Sequence, residues 1–509
     1  MSLSPHTPII VGVGEICNRS TAVENAIEPM ELMLQAIQNA FADSSAPDRD
    51  ALVAAVDSIS VVPPWTWPYE NLPGLLAAKL GAEPSHLHLG PHGGNQPGEL
   101  CDEAARRIAS GQSRISIIVG GEALASLAAC HKAGRKIPKG WTKPDPNTRQ
   151  IKTGDLSMLG DNVGTLHSVG LPTHVYPMYE NAFRSFRRQS CEENLKESAT
   201  MYAEFDEIAY PLLVNAFNTV NLAAACVLTS VEQAEKLRIP RGKWVYVLGG
   251  AGTEDRHNCE STPVRSIMDK WLRMVINYFQ VWERPWYWTS PALEKSIDTA
   301  IKVSDLTLDE LDVFDFYSCF PIVPKMAARH VGLSPTSPAK PITLLGGLTS
   351  FGGAGNNYSM HALVEMTRQL RNGTYRNGLV LANGGMFTHQ HAVCLSSRPR
   401  KGNTPYPAER PLPLETPGVT IPHFEARPGA GAAIIETYTV EFKRDGAPRI
   451  GHIVGRLAKD NSRFIANHGD TATLAKLANP MVDHIGGFGY VTTGDDGRNL
   501  FCLDADSKI

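Results

Sequence analysis

The stretch LHLGPHGGNQPGELCDEAARRIASGQSRISIIVGGEA, residues 87–123, decides the fold of this chain. It begins with a short apolar run, passes through a glycine-rich turn into a segment of helical period, and ends in the β-branched run ISIIV. The spacing predicts a helix from about Pro97 to Ser110 between two strands. A strand, a turn, a helix and a second strand are the repeating unit of an α/β protein whose sheet is covered on both faces.

The same alternation continues on both sides of this stretch. Upstream, the runs PIIVGVGE and AVDSISVV flank a predicted helix around Glu31 to Phe41. Downstream, a second round passes through VNLAAACVLTS, WVYVLGGAG, a predicted helix near Glu294 to Val303, DVFDFYSCF, PITLLGG and GLVLANGG. Two similar α/β halves are therefore expected. They are residues 1–123 together with 215–243, and residues 244–400.

Two further segments break the alternation. Residues 124–214 are rich in Pro, Tyr, Met and charged side chains, which is typical of a loop insertion that lies over the ends of a sheet. After Ser397, the Pro-rich passage RPRKGNTPYPAERPLPLETPG indicates a linker. Beyond it, period-two runs joined by Arg-Asp-Gly and Asp-Asp-Gly turns predict a small antiparallel barrel. We expect residues 401–509 to form this additional β domain, either as a binding module or as a structural cap.

The composition is that of an ordinary globular protein. Hydrophobic residues make up 42% of the 509 residues and charged residues 20%, and the formal net charge is -4. A nearly neutral chain without a dense Lys/Arg run has no electrostatic footprint for nucleic acid or for an anionic membrane. No membrane span is predicted, because no apolar stretch is long enough. The expected partners are small molecules or other proteins.

Cysteine usage and the chain ends bear on location. The nine cysteines are scattered without a CxxC pair, as in proteins of a reducing compartment. The N-terminal residues run directly into a strand-like segment, so no signal peptide is expected. The last three residues, Ser507-Lys508-Ile509, resemble a peroxisomal address, with an ordinary frayed tail as the alternative. We expect a cytoplasmic or peroxisomal protein.

Three glycine-bearing segments follow one another in a fixed order: Gly94-Asn95-Gln96-Pro97-Gly98, Gly346-Gly347-Leu348 and Asn383-Gly384-Gly385. This order resembles the thiolase superfamily, nearest the sterol-carrier type of thiolase and, within it, the thiolase-like proteins type 1. The segments GHIVGRLAKDNSRFIAN and DDGRNLF resemble the extra C-terminal domain of that group. The resemblance implies a thiolase fold, in which two βαβαβαββ halves stack in five α-β-α-β-α layers. It is less informative about activity, because one fold supports several chemistries.

A working thiolase needs a thiolate at a helix N-terminus, where the dipole lowers its pKa. The resemblance places that nucleophile at about Gly94 or Asn95, and neither residue is a cysteine. Cys101 lies about two turns into the helix, where we expect a packed core thiol. His92, just before the turn, is a candidate acid, base or donor; the alternative is a turn histidine bonded to backbone.

The family's HDCF motif appears here as Tyr317-Ser318-Cys319-Phe320, with tyrosine in the place of the catalytic histidine. A buried phenol can donate to an oxyanion or act as acid or base, or it can be a core tyrosine with a satisfied hydroxyl. Both interpretations of Tyr317 stay open at this point. Cys319 coincides with the motif's own cysteine, which the resemblance makes structural, so we expect it to be inert.

The histidine that serves as the thiolase base is also missing. The resemblance places it at Gly353, within Thr349-Ser350-Phe351-Gly352-Gly353-Ala354-Gly355. Asn356, Asn357, Tyr358 and His361 come shortly afterwards, at the start of a predicted helix, and can bring polar groups to the same pocket. Tyr358 is the candidate catalytic residue among them.

The last motif is Ala382-Asn383-Gly384-Gly385-Met386, without the second thiol of degradative and biosynthetic thiolases. Asn383 and the glycine amides are a candidate oxyanion hole. With Gly94, Asn95 and Gly353, the glycines Gly384 and Gly385 form the predicted substrate-binding surface.

His389 and His391 follow this motif with the spacing of two that places side chains on one face of a strand. A metal site needs more ligands than these two histidines supply, so no metal is predicted. No cofactor is expected either, and a CoA thioester would be the substrate or the ligand.

Three functions remain. The first is an acyl-CoA-processing enzyme that makes or breaks a carbon-carbon bond, or moves an acyl group, without a cysteinyl intermediate. Its retro-aldol version, with Tyr317 and Tyr358 as acid and base, follows the example of the steroid side-chain aldolases of this fold. The second is a non-catalytic acyl-CoA or lipid binding protein. Ordinary thiolase activity ranks last.

The resemblance allows a homodimer or, as in the type-1 group, a monomer.

Overall fold

The computed structural model describes residues 3–135, 140–146, 162–206, 218–255 and 281–503. In these ranges, nine strands form one mixed sheet, ordered β3-β2-β4-β5-β1-β6-β9-β8-β7. The strands are β1 (Pro8–Cys17), β2 (Val56–Val62), β3 (His86–Leu89), β4 (Ile115–Ala123), β5 (Asn221–Ser230), β6 (Val245–Glu254), β7 (Val313–Phe316), β8 (Asn377–Gly384) and β9 (His389–Ser396).

The sheet consists of two halves that meet at β1 and β6. These two strands pair only where Ile9 and Ile10 face Tyr246 and Val245, so the halves diverge beyond this short contact. The first strand of each half, β1 or β6, lies at the middle of the sheet. The parallel pair β2 and β4 of the first half corresponds to the parallel pair β7 and β8 of the second half. Strands β4, β5 and β8 are buried along their whole length, as expected for a sheet covered on both faces.

The helices repeat in the same order as the strands. Helices α1 (Pro29–Asp43), α2 (Arg49–Ala54), α3 (Leu72–Leu80) and α4 (Gln96–Ala109) belong to the first half. In the second half, the helices that correspond to α1, α3 and α4 are α10 (Pro291–Val303), α11 (Ile322–His330) and α13 (Tyr358–Arg371), with the short α12 (Gly347–Ser350) before α13. The prediction of two similar halves is confirmed.

The halves stack in five layers. Helices α4 and α13 contact each other and the strands of both halves, so they form the central layer. Helix α1 packs on β1, β4 and β5, and helix α10 packs on β6 and β9, so these helices form the outer layers. This is the predicted five-layered thiolase fold. The N-terminus of α4 and the loop before α13 are thereby brought to the interior of the molecule.

The described part of the insertion is helical. It contains α5 (Leu124–Lys132), α6 (Val163–Leu166), α7 (Pro172–Phe186) and α8 (Cys191–Asp206), and the first half resumes with β5 and α9 (Val231–Lys236). Helix α7 buries Val175, Tyr176, Tyr179 and Phe183 on one side, and it packs on the first strand of the C-terminal barrel. The insertion therefore lies between the thiolase halves and the additional domain.

The predicted C-terminal barrel is confirmed. Its strands, within the described residues, are β10 (Gly431–Phe442), β11 (Pro448–Leu457), β12 (Arg463–His468), β13 (Phe488–Thr493) and β14 (Asn499–Cys502), and α14 (Thr471–Leu477) lies between β12 and β13. The barrel closes in the order β10-β11-β12-β14-β13, with β12 and β14 parallel, which is the topology of an OB-type barrel. The predicted residue limits of the domains stay a prediction.

Among the described residues, no helix is long and apolar enough to cross a membrane. The C-terminal Ser507-Lys508-Ile509, which suggested a peroxisomal address, lies outside the described residues. That address stays a prediction.

Candidate functional site

The turn before α4 touches the last residues of β8. Gly94 lies so close to this strand that a Cβ atom built on it would be 2.4 Å from the carbonyl oxygen of Asn383. The same Cβ would be 3.1 Å from the hydroxyl oxygen of Tyr317. The position at which the resemblance expects the nucleophile is therefore a glycine by necessity. The Tyr317 hydroxyl is the side-chain group that reaches it.

Local sequence explains why the helix begins here. Pro97 stands in the first turn of α4, where its missing N–H costs nothing, and Glu99 follows in the same turn, near the positive end of the dipole. Arg106 and Arg107 occupy the last turn, where cations are favoured. Gly94 lets the turn pass close to the backbone carbonyl of Asn383 before the helix starts.

Asn95 closes the other side of this contact. A Cβ atom on Gly384 would lie 2.2 Å from Asn95 Oδ1, so the two residues touch directly. The Asn95 amide donates to Glu99 Oε2 at 3.3 Å, and Gln96 donates to the same oxygen at 2.8 Å. Gly94, Asn95 and Gly384 form one packed surface. Their role in binding stays a prediction.

Tyr317 and Tyr358 meet at this centre. Their rings are 5.5 Å apart at an angle of 83°, an edge-to-face contact. Tyr317 is 7% exposed and its backbone N–H donates to the carbonyl of Leu381, which fixes it beside β8. Tyr358 is fully buried, and burial next to Asp315 raises the pKa of its phenol well above the ordinary value. At neutral pH Tyr358 can therefore donate a proton but does not act as a phenolate base.

Asp315 is the site residue that the sequence reasoning missed. Its Oδ2 accepts the backbone N–H of Leu344 at 2.7 Å and the Thr343 hydroxyl at 3.3 Å, and its carboxyl group also interacts with the Tyr358 hydroxyl. Burial raises the pKa of Asp315 to about 7, against the lowering effect of these hydrogen bonds. The available signal was an acidic residue inside the otherwise apolar strand VFDF, where a carboxylate is rarely found without a partner.

The Asn383 side chain points away from Gly94. Its Oδ1 accepts from Gln390 at 2.6 Å, and its Nδ2 donates to the Tyr176 hydroxyl at 3.4 Å. Nδ2 also lies 3.8 Å from the Cys319 sulfur. In this conformation the backbone carbonyl of Asn383, rather than its amide, faces the turn of α4. A donor role toward an oxyanion would need a rotation of this side chain.

Gly385 has φ +63°, in the left-handed region that favours glycine, and a Cβ there would meet the Thr388 hydroxyl at 2.1 Å. It shapes the turn after β8.

His92 belongs to a neighbouring cluster. Its Nδ1 accepts from the amide of Asn356 at 3.0 Å, and its ring stacks on Trp65 at 5.3 Å. Burial lowers the pKa of His92 to about 3, so the imidazole is neutral at physiological pH. Asn356 also donates to the carbonyl of Pro63 at 2.9 Å. The structure thus joins His92 to the loop that carries Gly353, and places both beside the centre that contains Tyr317.

The loop around Gly353 is held by a second buried acid. Gly353 is buried between α12 and α13. A Cβ on the nearby Gly355 would lie 2.6 Å from Glu122 Oε1. Glu122 accepts from the Thr66 N–H at 3.1 Å and from the Thr66 hydroxyl, and burial raises its pKa to about 7. Glu122 therefore holds in place the segment that carries Trp65, and the ring of Trp65 stacks on His92.

The two thiols near the centre are protonated at neutral pH. Cys101 is fully buried, and burial raises the pKa of its thiol well above the ordinary value. Burial also raises the pKa of Cys319 to about 12. Neither sulfur has the lowered pKa of a nucleophilic cysteine.

His389 and His391 each pair with their own carboxylate. His389 Nε2 lies 2.7 Å from Glu254 Oε2, which raises the pKa of this histidine against the effect of burial. His391 Nε2 lies 2.9 Å from Asp102 Oδ2, and Asp102 also accepts from the Tyr406 hydroxyl at 2.6 Å. Each of these two histidines therefore has a carboxylate partner of its own.

A cavity of about 500 Å³ opens between the insertion and the barrel. Tyr176 and Phe320, stacked with ring centroids 4.3 Å apart, form part of its wall. The Tyr176 hydroxyl accepts from Asn383, so this wall separates the cavity from the centre around Gly94. The exposed lining is mainly apolar.

Two stacked halves whose central helices meet at a glycine-lined centre define a protein of the thiolase fold. The family model of the thiolase-like protein type 1 additional C-terminal domain matches residues 411–496. A monomeric SCP2-thiolase like protein type 1 from Mycobacterium smegmatis is 27% identical, and the match covers 99% of this chain and 100% of that chain with a TM-score of 0.76. The chain thus carries the additional C-terminal domain of the thiolase-like proteins of type 1 and is similar to a protein of that type along its whole length.

More distant solved structures share the fold alone. Human mitochondrial 3-ketoacyl-CoA thiolase is 12% identical, with a TM-score of 0.52, over 78% of this chain and 100% of that chain. An Ltp2-ChsH2(DUF35) aldolase is 14% identical, with a TM-score of 0.50, over 77% of this chain and 98% of that chain. No curated protein matches the chain.

Proposed function

We propose that this protein processes acyl-CoA thioesters without a cysteinyl intermediate, and that Tyr317 is its catalytic acid-base residue. The observation that carries this proposal is the place of the Tyr317 hydroxyl, 3.1 Å from where a Cβ on Gly94 would lie. A phenol thus stands where a thiolase needs its thiolate. Tyrosine can move a proton at a substrate oxygen but cannot replace cysteine as the acyl carrier at neutral pH.

The reaction that suits this arrangement best is retro-aldol cleavage of a 3-hydroxyacyl-CoA. Tyr317, ionised as the phenolate, would accept the hydroxyl proton as the bond between C2 and C3 breaks, which releases an aldehyde or ketone and leaves the thioester enolate beside the neutral phenol. Return of the proton to C2 gives the shortened acyl-CoA, so atoms and charges balance. Tyr358 is proposed as a positioning residue, because it is fully buried and braces Tyr317 edge-on.

The test is a panel of acyl-CoA, 3-oxoacyl-CoA and 3-hydroxyacyl-CoA esters incubated with the pure protein. Free CoA is followed with a thiol reagent and carbonyl products are followed by hydrazone formation. We expect Tyr317→Phe to lower the rate by about 100-fold or more, the usual contribution of general acid-base catalysis. Cys101→Ala and Tyr406→Phe are the controls, because both side chains are buried away from Gly94, and they should retain activity.

A second candidate is a non-catalytic acyl-CoA binding protein. It is favoured by the Asn383 side chain, whose amide is occupied by Gln390 and Tyr176 instead of facing the centre. Tight binding of CoA esters with no product in either assay, and no effect of Tyr317→Phe on affinity, would establish this function and refute the first.

We further propose that the chain is a monomer. The supporting observation is the Mycobacterium smegmatis relative, a type-1 protein described as monomeric and matched along its whole length.

A further inference from the structure

Three metal-ligating side chains meet where α7 of the insertion lies on the C-terminal barrel. They are His174 from the first turn of α7, Glu441 from β10 and His452 from β11. One ligand atom from each lies within 4.8 Å of the other two. The two imidazole rings stack with centroids 4.9 Å apart, and His174 Nε2 is 3.7 Å from Glu441 Oε2.

Strand register places two of these residues on one face. His452 pairs with Thr439 across the β10–β11 ladder, and Glu441 stands two residues beyond Thr439 on the same strand. Side chains two residues apart on a strand point the same way, so Glu441 and His452 are diagonal neighbours. The α7 helix packs over this face and adds His174 from a distant part of the chain.

One nitrogen of the cluster, Nε2 of the fully buried His452, has no hydrogen bond to any described residue. Nδ1 of His174 has none either, but it is the ring nitrogen opposite the one that faces Glu441. An unpaired buried polar atom costs free energy, and a bound ion is one of the common ways in which proteins satisfy such an atom. The unpaired nitrogen of His452 is an observation independent of the clustering.

His452 has the outer contacts of a metal-binding histidine. The Asn467 amide donates to the carbonyls of His167 and Gly451, at 3.0 and 3.3 Å. His452 also interacts with the backbone of His167, and its Nδ1 lies 3.3 Å from the amide nitrogen of Asn467. Nε2 is the ring nitrogen that has no hydrogen bond to a described residue. Metal-bound histidines usually fix their free nitrogen in this way, through a backbone carbonyl.

We propose that His174, Glu441 and His452 form a zinc site that joins the insertion to the C-terminal barrel. Two imidazoles and one carboxylate are a known Zn²⁺ ligand set, with water in the fourth position. Glu441 is half-exposed, so water and metal reach the site from outside. In a tetrahedral zinc site the ligand atoms are about 3.3 Å apart, so the longest separation in the cluster must shorten by up to about 1.5 Å on binding.

The charge of Arg449 should weaken metal binding at this site. Its guanidinium pairs with Glu441 and is half-exposed, so its positive charge weakens the attraction for a cation but can swing into solvent. Removal of this charge should therefore tighten zinc binding. A general loss of structure would not have that effect.

The experiment uses the full chain, stripped with a chelator and titrated with ZnCl₂ against a zinc-sensitive dye. We expect one Zn²⁺ per chain and a rise in melting temperature on binding. Glu441→Gln and His174→Asn should each weaken binding by at least about 10-fold, since loss of even an outer contact costs that much. Arg449→Gln should strengthen it. A Co²⁺ spectrum with tetrahedral bands that disappear in His174→Asn would confirm the ligands.

His88→Asn is the matched control, because His88 stacks on His86 at 6.0 Å and offers another place for zinc. Glu441 is half-exposed, so the Glu441→Gln variant should keep the fold of the protein. Circular dichroism in the absence of zinc checks this. Zinc affinity that is unchanged in both Glu441→Gln and His174→Asn, or lost in His88→Asn instead, would overturn the proposal. So would the absence of stoichiometric binding by the unmodified chain.

Discussion

Gly94 has no room for the side chain that a thiolase would place there. Its neighbours are the Asn383 carbonyl, a backbone atom that cannot rotate away, and the Tyr317 hydroxyl. The site therefore differs from that of a thiolase in its backbone packing as well as in the missing sulfur atom. Restoring the cysteine alone should not restore thiolase chemistry.

The first prediction concerns this contact. Gly94→Ala should destabilise the protein by about 1–3 kcal/mol, because a Cβ 2.4 Å from the Asn383 oxygen forces the backbone to shift. Gly242→Ala is the control, since a Cβ there meets nothing within 4 Å, and it should change stability by less than about 0.5 kcal/mol. Urea unfolding of both variants measures the difference. Equal stability of the two would mean that the turn tolerates a side chain.

Asp315 predicts a pH effect on stability. Its pKa rises from about 3.9 in the unfolded chain to about 7 in the folded protein. Below about pH 3 both states hold the proton, and this group has no effect on the pH dependence of stability. As the pH rises toward 7 the unfolded chain releases the proton first, so the folded state loses up to about 4 kcal/mol in relative stability.

Asp315→Asn removes this titration while it keeps an oxygen for the Leu344 N–H. We expect the stability of the variant relative to the unmodified protein to increase between pH 4.5 and 7.5, as measured by urea unfolding at each pH. Glu122→Gln, at the other acid with a raised pKa, tests whether the effect is additive. A stability difference that does not change with pH would contradict the raised pKa of Asp315.

At the scale of elements, the described helices match the sequence periodicity closely. The predicted helices around 31–41, 97–110 and 294–303 are observed as Pro29–Asp43, Gln96–Ala109 and Pro291–Val303. Their apolar residues recur at the helical period, and local signals such as Ser290 capping Leu293 mark their starts. Periodicity does not predict which helices become the central layer, because that depends on how the two halves face each other.

The prediction at this scale concerns the ion pair between strands β12 and β10. The fully buried Arg463 of β12 pairs with Glu436 at 2.8 Å and donates to the carbonyls of Trp282 and Arg284, which ties the barrel to the segment before α10. Arg463→Ala leaves these carbonyls without their buried donor and leaves Glu436 with Arg456 as its remaining partner, so it should cost about 3 kcal/mol. Arg456→Ala removes another partner of Glu436 from a more exposed position, and about 1 kcal/mol is expected.

Thermal unfolding of both arginine variants measures the effect. The Arg463 variant should melt well below the Arg456 variant and should show an early transition of the barrel. Similar melting of the two variants would show that Arg463 does not hold the barrel in place.

At the scale of the whole molecule, the barrel and the insertion form one side of the structure. Thr437 of β10 donates to the Met178 carbonyl of α7 at 2.6 Å, and Asn181 donates to the Tyr438 carbonyl at 3.0 Å. These buried contacts, with the proposed zinc site, join the additional domain to the helices above the cavity. The additional domain therefore helps to shape the pocket wall that Tyr438 shares with Tyr176.

The proposed monomer can be tested directly. Strand β3 is the outer edge of the first half, and it exposes Leu87 and Leu89 over only four residues. So short an edge offers little area for a stable dimer. Sedimentation equilibrium should give a mass near 55.3 kDa over a wide range of concentration. A mass of twice this value would show that the chain dimerises.

The sequence by itself determined the α/β class, the two halves, the barrel and the absence of thiolase residues at positions 94 and 353. These features depend on local periodicity, turn residues and the order of motifs, which act over a few residues. Only the tertiary structure decided that Gly94 touches Asn383, that Asp315 lies behind Tyr358, and that His174 meets His452. Such pairs lie far apart in the sequence, and their contact depends on how whole layers pack.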